Sequence, residues 1–163
     1  MKLIDYRSGL TILVFGFLLL LNFTVTAKEP VLETLVITNA EGKAINYQVE
    51  IARTPSQTQR GLMFRDTLAA DRGMLFIYKP ERPAAMWMKN TILSLDMLFI
   101  DSQGVIIKIA EKTTPFSLAS IESGGSVRAV LELNAEQAEL HKFVVGDKVS
   151  HPLFDETVEP QKE

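Results

Sequence analysis

GMLFIYKPERPAAMWMKNTILSLDMLFI, residues 73–100, is the part of the chain that says most about its fold and its candidate site. Met74 to Tyr78 and Leu95 to Ile100 are short apolar runs, which is typical of strands in a core. The stretch nevertheless carries Trp87, Lys89, Asn90 and Asp96. Polar groups in a core need partners or a functional reason. We therefore expect a site between these two apolar runs, at the junction of neighbouring strands.

Similar runs on both sides of this stretch predict further strands. Ile45 to Ile51 alternates apolar and polar residues, the period of a half-buried strand, and residues 39–43 have the composition of a turn. The chain is therefore expected to open with a hairpin. From Met74 onward the strands are expected to follow one another as a β-meander. The predicted strands are Leu32–Thr38, Ile45–Ile51, Met74–Tyr78, Ala84–Lys89, Leu95–Ile100, Val105–Glu111, Val127–Leu133 and a last one that ends at Val149.

Two short helices are predicted from capping patterns. Thr54-Pro55-Ser56-Gln57 places Thr at the N-cap, Pro at the first helical position and Gln three residues after the cap. This pattern favours a helix from Pro55 to about Met63. Residues 134–137 repeat it with Asn at the cap, so a second helix is expected to end near His141. Residues 116–125 show no clear period and are expected to form a loop.

Seven or eight short strands have edges that a protein has to close or cover. We therefore predict an α+β, mostly β fold: a compact single domain, either barrel-like or a meander sheet, with two short helices. The sequence contains no βαβ alternation.

The first 27 residues have the order of a secretory signal peptide. Lys2 and Arg7 precede an apolar run, and Val25 and Ala27 offer small residues before a cut at Lys28. An uncleaved anchor is the alternative, since an apolar segment of about 17–25 residues spans a bilayer. With cleavage, the protein is expected to be periplasmic or secreted, with a tether at 28–33, a β-rich domain at 34–154 and a disordered acidic tail at 155–163.

Charge and composition exclude several classes of function. Without Lys2, Arg7 and Asp5, the 17 basic and 20 acidic side chains fall to 15 and 19, a net charge of −4. This acidic balance argues against nucleic acid, which binds through Lys and Arg. The chain has no Cys, which rules out disulfides and a lipidated cysteine.

The motifs of common enzyme and metal sites are also missing. His141 and His151 are the two imidazoles, and no HExxH, CxxC, calcium loop, Gly-x-Ser-x-Gly elbow or phosphate-binding glycine loop occurs. We therefore predict neither a metal nor a cofactor, and the sequence indicates no activity.

Five separated motifs together resemble the DUF192 family of small, often exported bacterial and archaeal proteins. The motifs are Gln59–Arg65, Gly73–Phe76, Trp87–Thr91, Leu95–Met97 and Val130–Leu133. The resemblance covers roughly residues 34–154 and implies one compact β-rich domain with no established activity. Ser94 departs from the pattern, because the family usually has Pro before Leu-Asp.

Two readings of the candidate site remain open. In the functional one, Trp87 offers a stacking face while Lys89, Asn90, Thr91 and Asp96 provide polar contacts at a strand-end rim. In the structural one, Asn90-Thr91 is a turn, Lys89 pairs with Asp96 and Trp87 is core. Further candidates are Arg60 and Arg65, whose planar forks suit an anion but which commonly form surface ion pairs, and Glu132 within an apolar strand.

Two functions of different class follow from these residues. The first is an exported binding or accessory module for a small polar ligand, a saccharide or a protein segment in the cell envelope. Contact with a membrane is expected only through an uncleaved signal. The alternative is a small hydrolase or lyase in which Lys89 is the base and Asp96 orients it. A structural subunit without a pocket is the third possibility.

Overall fold

A computed structural model describes residues 30–155 as one seven-stranded sheet with three short helices. The strands are β1 (Leu32–Thr38), β2 (Ala44–Ala52), β3 (Arg72–Met86), β4 (Leu95–Ile100), β5 (Ile106–Ala110), β6 (Ile121–Asn134) and β7 (Lys148–Ser150). The helices are α1 (Pro55–Arg60), α2 (Gln137–His141) and α3 (Pro152–Asp155). Along the sheet the order is β5-β4-β6-β3-β2-β1-β7.

The sheet curls until its two outer strands nearly meet. Val105 forms an isolated bridge with Lys148, and the Val149 amide donates to the Gly104 carbonyl at 2.7 Å. Closing a sheet in this way removes the free edges that otherwise invite aggregation. The mostly β, barrel-like fold predicted from the sequence is confirmed, with three helices in place of two.

The first half of the chain follows its sequence pattern closely. β1 and β2 form the expected antiparallel hairpin, in which Thr38 faces Ala44. β2 then pairs in parallel with β3, and α1 lies in the connection between them, so the chain contains one βαβ unit that was not expected from the sequence. The Thr54 hydroxyl accepts from the Gln57 amide at 3.2 Å and the Gln57 side chain accepts from the Thr54 amide at 3.0 Å, so the predicted capping box is confirmed.

The predicted meander is wrong after β3. The segments expected as two strands, Met74–Tyr78 and Ala84–Lys89, belong to the single strand β3, which ends at Met86. β6 pairs with β3 on one side and with β4 on the other, so β3 and β4 are not neighbours. Register shifts near Arg82 and Pro83 absorb the prolines, which cannot donate to a ladder.

β6 is also longer than expected. The second half of the predicted loop, residues 121–125, lies inside β6, and this first part of β6 pairs with the second half of β3. Gly124 has a φ of 76°, a conformation that glycine adopts without strain.

The central strands are buried on both faces. One face points into the barrel, with Leu75, Leu98 and Leu131 in the core. The other face carries a second cluster, including Met74, Phe76 and Val130, which is covered by Leu62 and Met88 from the loops. This double burial explains why residues 73–78 and 95–100 are almost continuously apolar. The candidate site lies on the covered outer face.

Helix α2 begins differently from the prediction. Its N-cap is Glu136, with a φ of 72° and no side-chain hydrogen bond. The Asn134 side chain instead donates to the carbonyls of Leu68 and Ala69 at 2.9 and 3.1 Å. The predicted Asn cap is therefore wrong, because Asn134 joins β6 to the loop before β3.

The predicted signal peptide, the first two residues of the tether (28 and 29) and residues 156–163 of the predicted tail lie outside the described residues. Within 30–155, no helix is both long and apolar enough to cross a bilayer.

Candidate functional site

An open cavity of about 200 Å³ lies on the outer face of β3 and β6, beside the loop that follows α1. A second hollow of about 290 Å³ adjoins it, and the two share Gln59, Arg60, Met63 and Trp87 as lining residues. Both are smaller than the roughly 300–1,000 Å³ typical of sites for drug-sized ligands. Their size favours a molecule with a single ring.

The loop that follows β3 is joined to two other loops by backbone hydrogen bonds. The Phe64 amide donates to the Asn90 carbonyl at 2.9 Å, and the Met88 amide donates to the Ser117 carbonyl at 3.0 Å. Phe64 and Asn90 have φ values of 62° and 54°. Asn tolerates this left-handed region, whereas a bulky residue rarely adopts it. The loop conformation is thus held by the surrounding structure.

Trp87 forms an aromatic wall between the two hollows. Its side chain is 46% exposed, so it is neither core nor fully solvated. The Lys89 Nζ atom lies 5.0 Å from the centre of the indole, within the range of a cation–π contact. Lys89 and Asn90 line the second hollow with Trp87, and Thr91 lines the first. The structure thus brings these four predicted residues together.

The arginines near α1 have different environments. Arg65 forms a bidentate ion pair with Glu50, with N–O distances of 2.5 and 2.7 Å, and this hydrogen bonding raises the pKa of Arg65. Arg53 pairs with Glu33. Arg60 lines both hollows and makes no ion pair with any other residue of 30–155. Of the two predicted arginines, Arg60 is therefore at the site, whereas Arg65 lies nearby and is held in its ion pair with Glu50.

Glu132 lies among the residues that line the first cavity, although it is only 4% exposed. Burial raises the pKa of Glu132 to about 8, and the positive charge of Arg65 opposes that rise. No donor in the described part of the chain hydrogen-bonds its carboxyl group. At neutral pH Glu132 is therefore largely a protonated acid, able to donate or accept.

Asp96 is not at the cavity. It is fully buried, and its carboxylate accepts from the Lys112 amide through Oδ1 and from the Ala138 amide through Oδ2, both at 2.8 Å. The second bond caps the start of α2. Because Lys89 contacts the Trp87 ring instead, the expected Lys89–Asp96 pair is absent.

Two residues of the cavity were not anticipated from the sequence. Tyr78 and Arg82 both line it, and the Arg82 guanidinium lies 4.7 Å above the Tyr78 ring. Burial raises the pKa of Tyr78, a shift that Arg82 opposes and Glu132 reinforces. The Tyr78 hydroxyl donates to the Met86 sulfur at 3.4 Å. Like Arg60, Arg82 makes no ion pair within residues 30–155.

The site offers no ready place for a metal ion. In the described part of the chain, no three His, Asp or Glu side chains are grouped so as to hold one. Its chemistry is that of an aromatic wall, one buried acid and two guanidinium groups that form no ion pair within residues 30–155.

Comparison with known proteins places the chain in a family. The similar solved structures include one from Sinorhizobium meliloti 1021 described as a putative transcription regulator and one from Novosphingobium aromaticivorans DSM 12444 described as a protein of unknown function. The first has 41% identity and a TM-score of 0.75, and the match covers 78% of this chain and 99% of that one. The second has 32% identity and a TM-score of 0.72, with 77% and 91% covered.

No curated protein matches the chain. The family model DUF192, described as "Uncharacterized ACR", matches residues 36–151. The resemblance seen in the sequence motifs is thereby confirmed, and the chain belongs to the DUF192 family.

Proposed function

We propose that this protein is an exported binding protein for a small polar ligand, which stacks on Trp87 and is held by polar groups of the cavity. The observation that carries the proposal is the convergence of Trp87, Arg60, Arg82 and Glu132 on one solvent-reachable hollow. An apolar wall with a few convergent polar groups is the usual composition of a ligand site.

The same geometry weakens the enzyme alternative. A base and the acid that orients it have to be within hydrogen-bond reach of each other. Asp96 uses its two oxygens for backbone amides inside the fold, while Lys89 contacts the indole. Binding without turnover is therefore the function that this site supports better.

The description of the Sinorhizobium protein as a putative transcription regulator is not carried over to this chain. The full sequence has a net charge of −3, and nucleic-acid binding depends largely on an excess of Lys and Arg at the contact surface. The cavity also has room for only one small molecule, whereas the backbone of a nucleic acid needs a long basic groove.

Replacing Trp87 with Ala tests the proposal. We expect binding of a ligand found by thermal-shift screening of monosaccharides, organic acids and amino acids to weaken at least about tenfold, equal to about 1.4 kcal/mol. Because Trp87 is half-exposed, the melting temperature should fall by only a few degrees. Leu140→Ala is the matched control, since Leu140 is 67% exposed and lines neither hollow. Unchanged affinity in Trp87→Ala, with the fold intact, would contradict this site.

Export makes a separate prediction. When the full chain is produced in a Gram-negative host, the protein in the periplasmic fraction should begin at Lys28, as measured by intact mass and N-terminal sequencing. Ala27→Tyr should block this cut, because a large side chain does not fit the position before cleavage. Recovery of uncut wild-type protein in the membrane fraction would instead show an anchor.

A further inference from the structure

We infer that the ligand is a zwitterion, a small α-amino acid whose carboxylate binds Arg60 and Arg82 and whose ammonium group binds Glu132. The inference rests on the proposed function and names its ligand class. It starts from one fact about the cavity: two basic side chains, Arg60 and Arg82, and one acidic side chain, Glu132, line it. None of the three forms an ion pair with another described residue.

The anionic end of the ligand is argued from the arginines. Arg53 and Arg65 are matched with Glu33 and Glu50, but Arg60 and Arg82 have no ion pair within residues 30–155. The Arg82 guanidinium lies 4.7 Å from the centre of the Tyr78 ring, and this contact helps to hold it at the cavity. A guanidinium fork binds a carboxylate through two parallel hydrogen bonds. Two such groups on one small cavity therefore favour an anionic group in the ligand.

The cationic end is argued from Glu132. This carboxyl group lines the cavity and is almost fully buried, yet no protein donor in the described residues reaches it. Its oxygens are not fully enclosed, because the sealed polar atoms without a partner in residues 30–155 are His141 Nδ1 and His151 Nε2, so the Glu132 carboxyl can accept a donor from the cavity. Arg65 acts on Glu132 electrostatically but is already bound to Glu50. Arg82 and the titratable Tyr78 line the same cavity. An ammonium group from the ligand would supply the missing donor.

The rest of the ligand faces apolar surface. Phe76, Met63, Met86 and Trp87 line the same cavity, whose volume of about 200 Å³ accepts one ring or a short aliphatic chain. Thioether and aromatic side chains pack well against such groups. L-phenylalanine and L-leucine are accordingly the first compounds to try.

The experiment is isothermal titration calorimetry on residues 28–163 at pH 7 with a matched series. L-phenylalanine has both charges, 3-phenylpropanoate lacks the amine, 2-phenylethylamine lacks the carboxylate, L-leucine replaces the ring, and glucose is neutral. We expect one or both amino acids to bind, and L-phenylalanine to bind at least tenfold more tightly than either single-charge analogue.

Two variants test which residue binds each charged group of the ligand. Arg60→Ala should weaken L-phenylalanine and 3-phenylpropanoate but not 2-phenylethylamine. Glu132→Gln should weaken L-phenylalanine and 2-phenylethylamine but not 3-phenylpropanoate. In wild type, titrations in buffers of different ionisation enthalpy should show release of up to one proton, because an ammonium partner favours the ionised form of Glu132. Glu132→Gln should release none. Circular dichroism checks that each variant is folded.

The outcomes separate the two proposals. Binding of glucose with sensitivity to Trp87→Ala, and no binding of either amino acid, would overturn the zwitterion and leave the binding function standing. Equal affinity for L-phenylalanine and 3-phenylpropanoate, or no proton release, would also overturn it. Absence of binding by any compound here and in the wider screen would overturn both.

Discussion

Glu132→Gln should stabilise the protein strongly above pH 8 and change its stability little at pH 4.5. Burial raises the pKa of Glu132 from 4.5 in the unfolded chain to about 8 in the folded one. The folded state therefore holds a proton that the unfolded state gives up between these values, and wild-type stability falls as pH rises through this window. At 1.36 kcal/mol per pKa unit, the full effect reaches about 5 kcal/mol.

The variant keeps the shape of the acid but cannot ionise, so it should lose this pH dependence. Urea unfolding at pH 4.5, 6, 7 and 8.5 gives the difference between the two proteins at each pH. Glu122→Gln is the control, because Glu122 lies on the same strand with an exposed side chain. A difference in unfolding free energy that stays constant across the four pH values would show that burial does not raise the pKa of Glu132.

Asp96→Ala should destabilise the protein by about 3–5 kcal/mol, the second large effect. The substitution leaves the amides of Lys112 and Ala138 without their acceptor, at a fully buried position. Each unsatisfied buried donor costs about 1–3 kcal/mol, and helix α2 also loses its cap.

Asp101→Ala is a close control for burial. Asp101 also accepts from two backbone amides, Gln103 at 2.9 Å and Val105 at 2.8 Å, but it is partly exposed in a turn. Water can replace its bonds, so its loss should cost only about 1 kcal/mol. Equal losses in chemical denaturation of the two variants would show that the Asp96 contacts do not hold the fold. Reduced ligand binding by Asp96→Ala would reflect unfolding rather than a role at the site.

The parts of the fold that depend on neighbouring residues were predictable. The hairpin of β1 and β2, the start of α1 and the limits of β4 follow from period, turn composition and capping over a few residues. The insertion of β6 between β3 and β4 was not, because pairing of Leu131 with both Leu75 and Leu98 joins residues far apart in sequence. Turn-like glycines at 124 and 125 also concealed the first half of β6.

The candidate site, too, was predictable only where its residues are close together in the sequence. Trp87, Lys89 and Asn90 stood out because three such residues lie together between apolar runs, and the structure keeps them on one loop. Arg82 and Tyr78 did not stand out, because Lys79-Pro80-Glu81 lies between them in the sequence. A register shift within β3 accompanies the contact of their side chains at the cavity. Asp96 accepts hydrogen bonds from two backbone amides that come later in the chain, and no local sequence pattern predicts these contacts.

The pairing of β1 with β7 has a consequence for how the chain reaches its final state. Val36 faces Ser150, so the opening strand acquires its second neighbour only from the last strand of the sheet. Until nearly the whole polypeptide is available, β1 presents an unprotected edge. When the chain is synthesised or translocated from its amino end, β1 to β6 therefore all emerge before β7, which is needed to close the barrel. Pairing of β1 with β7 is therefore the last strand pairing that becomes possible, and loss of a carboxyl-terminal segment that contains β7 would leave the edge of β1 exposed.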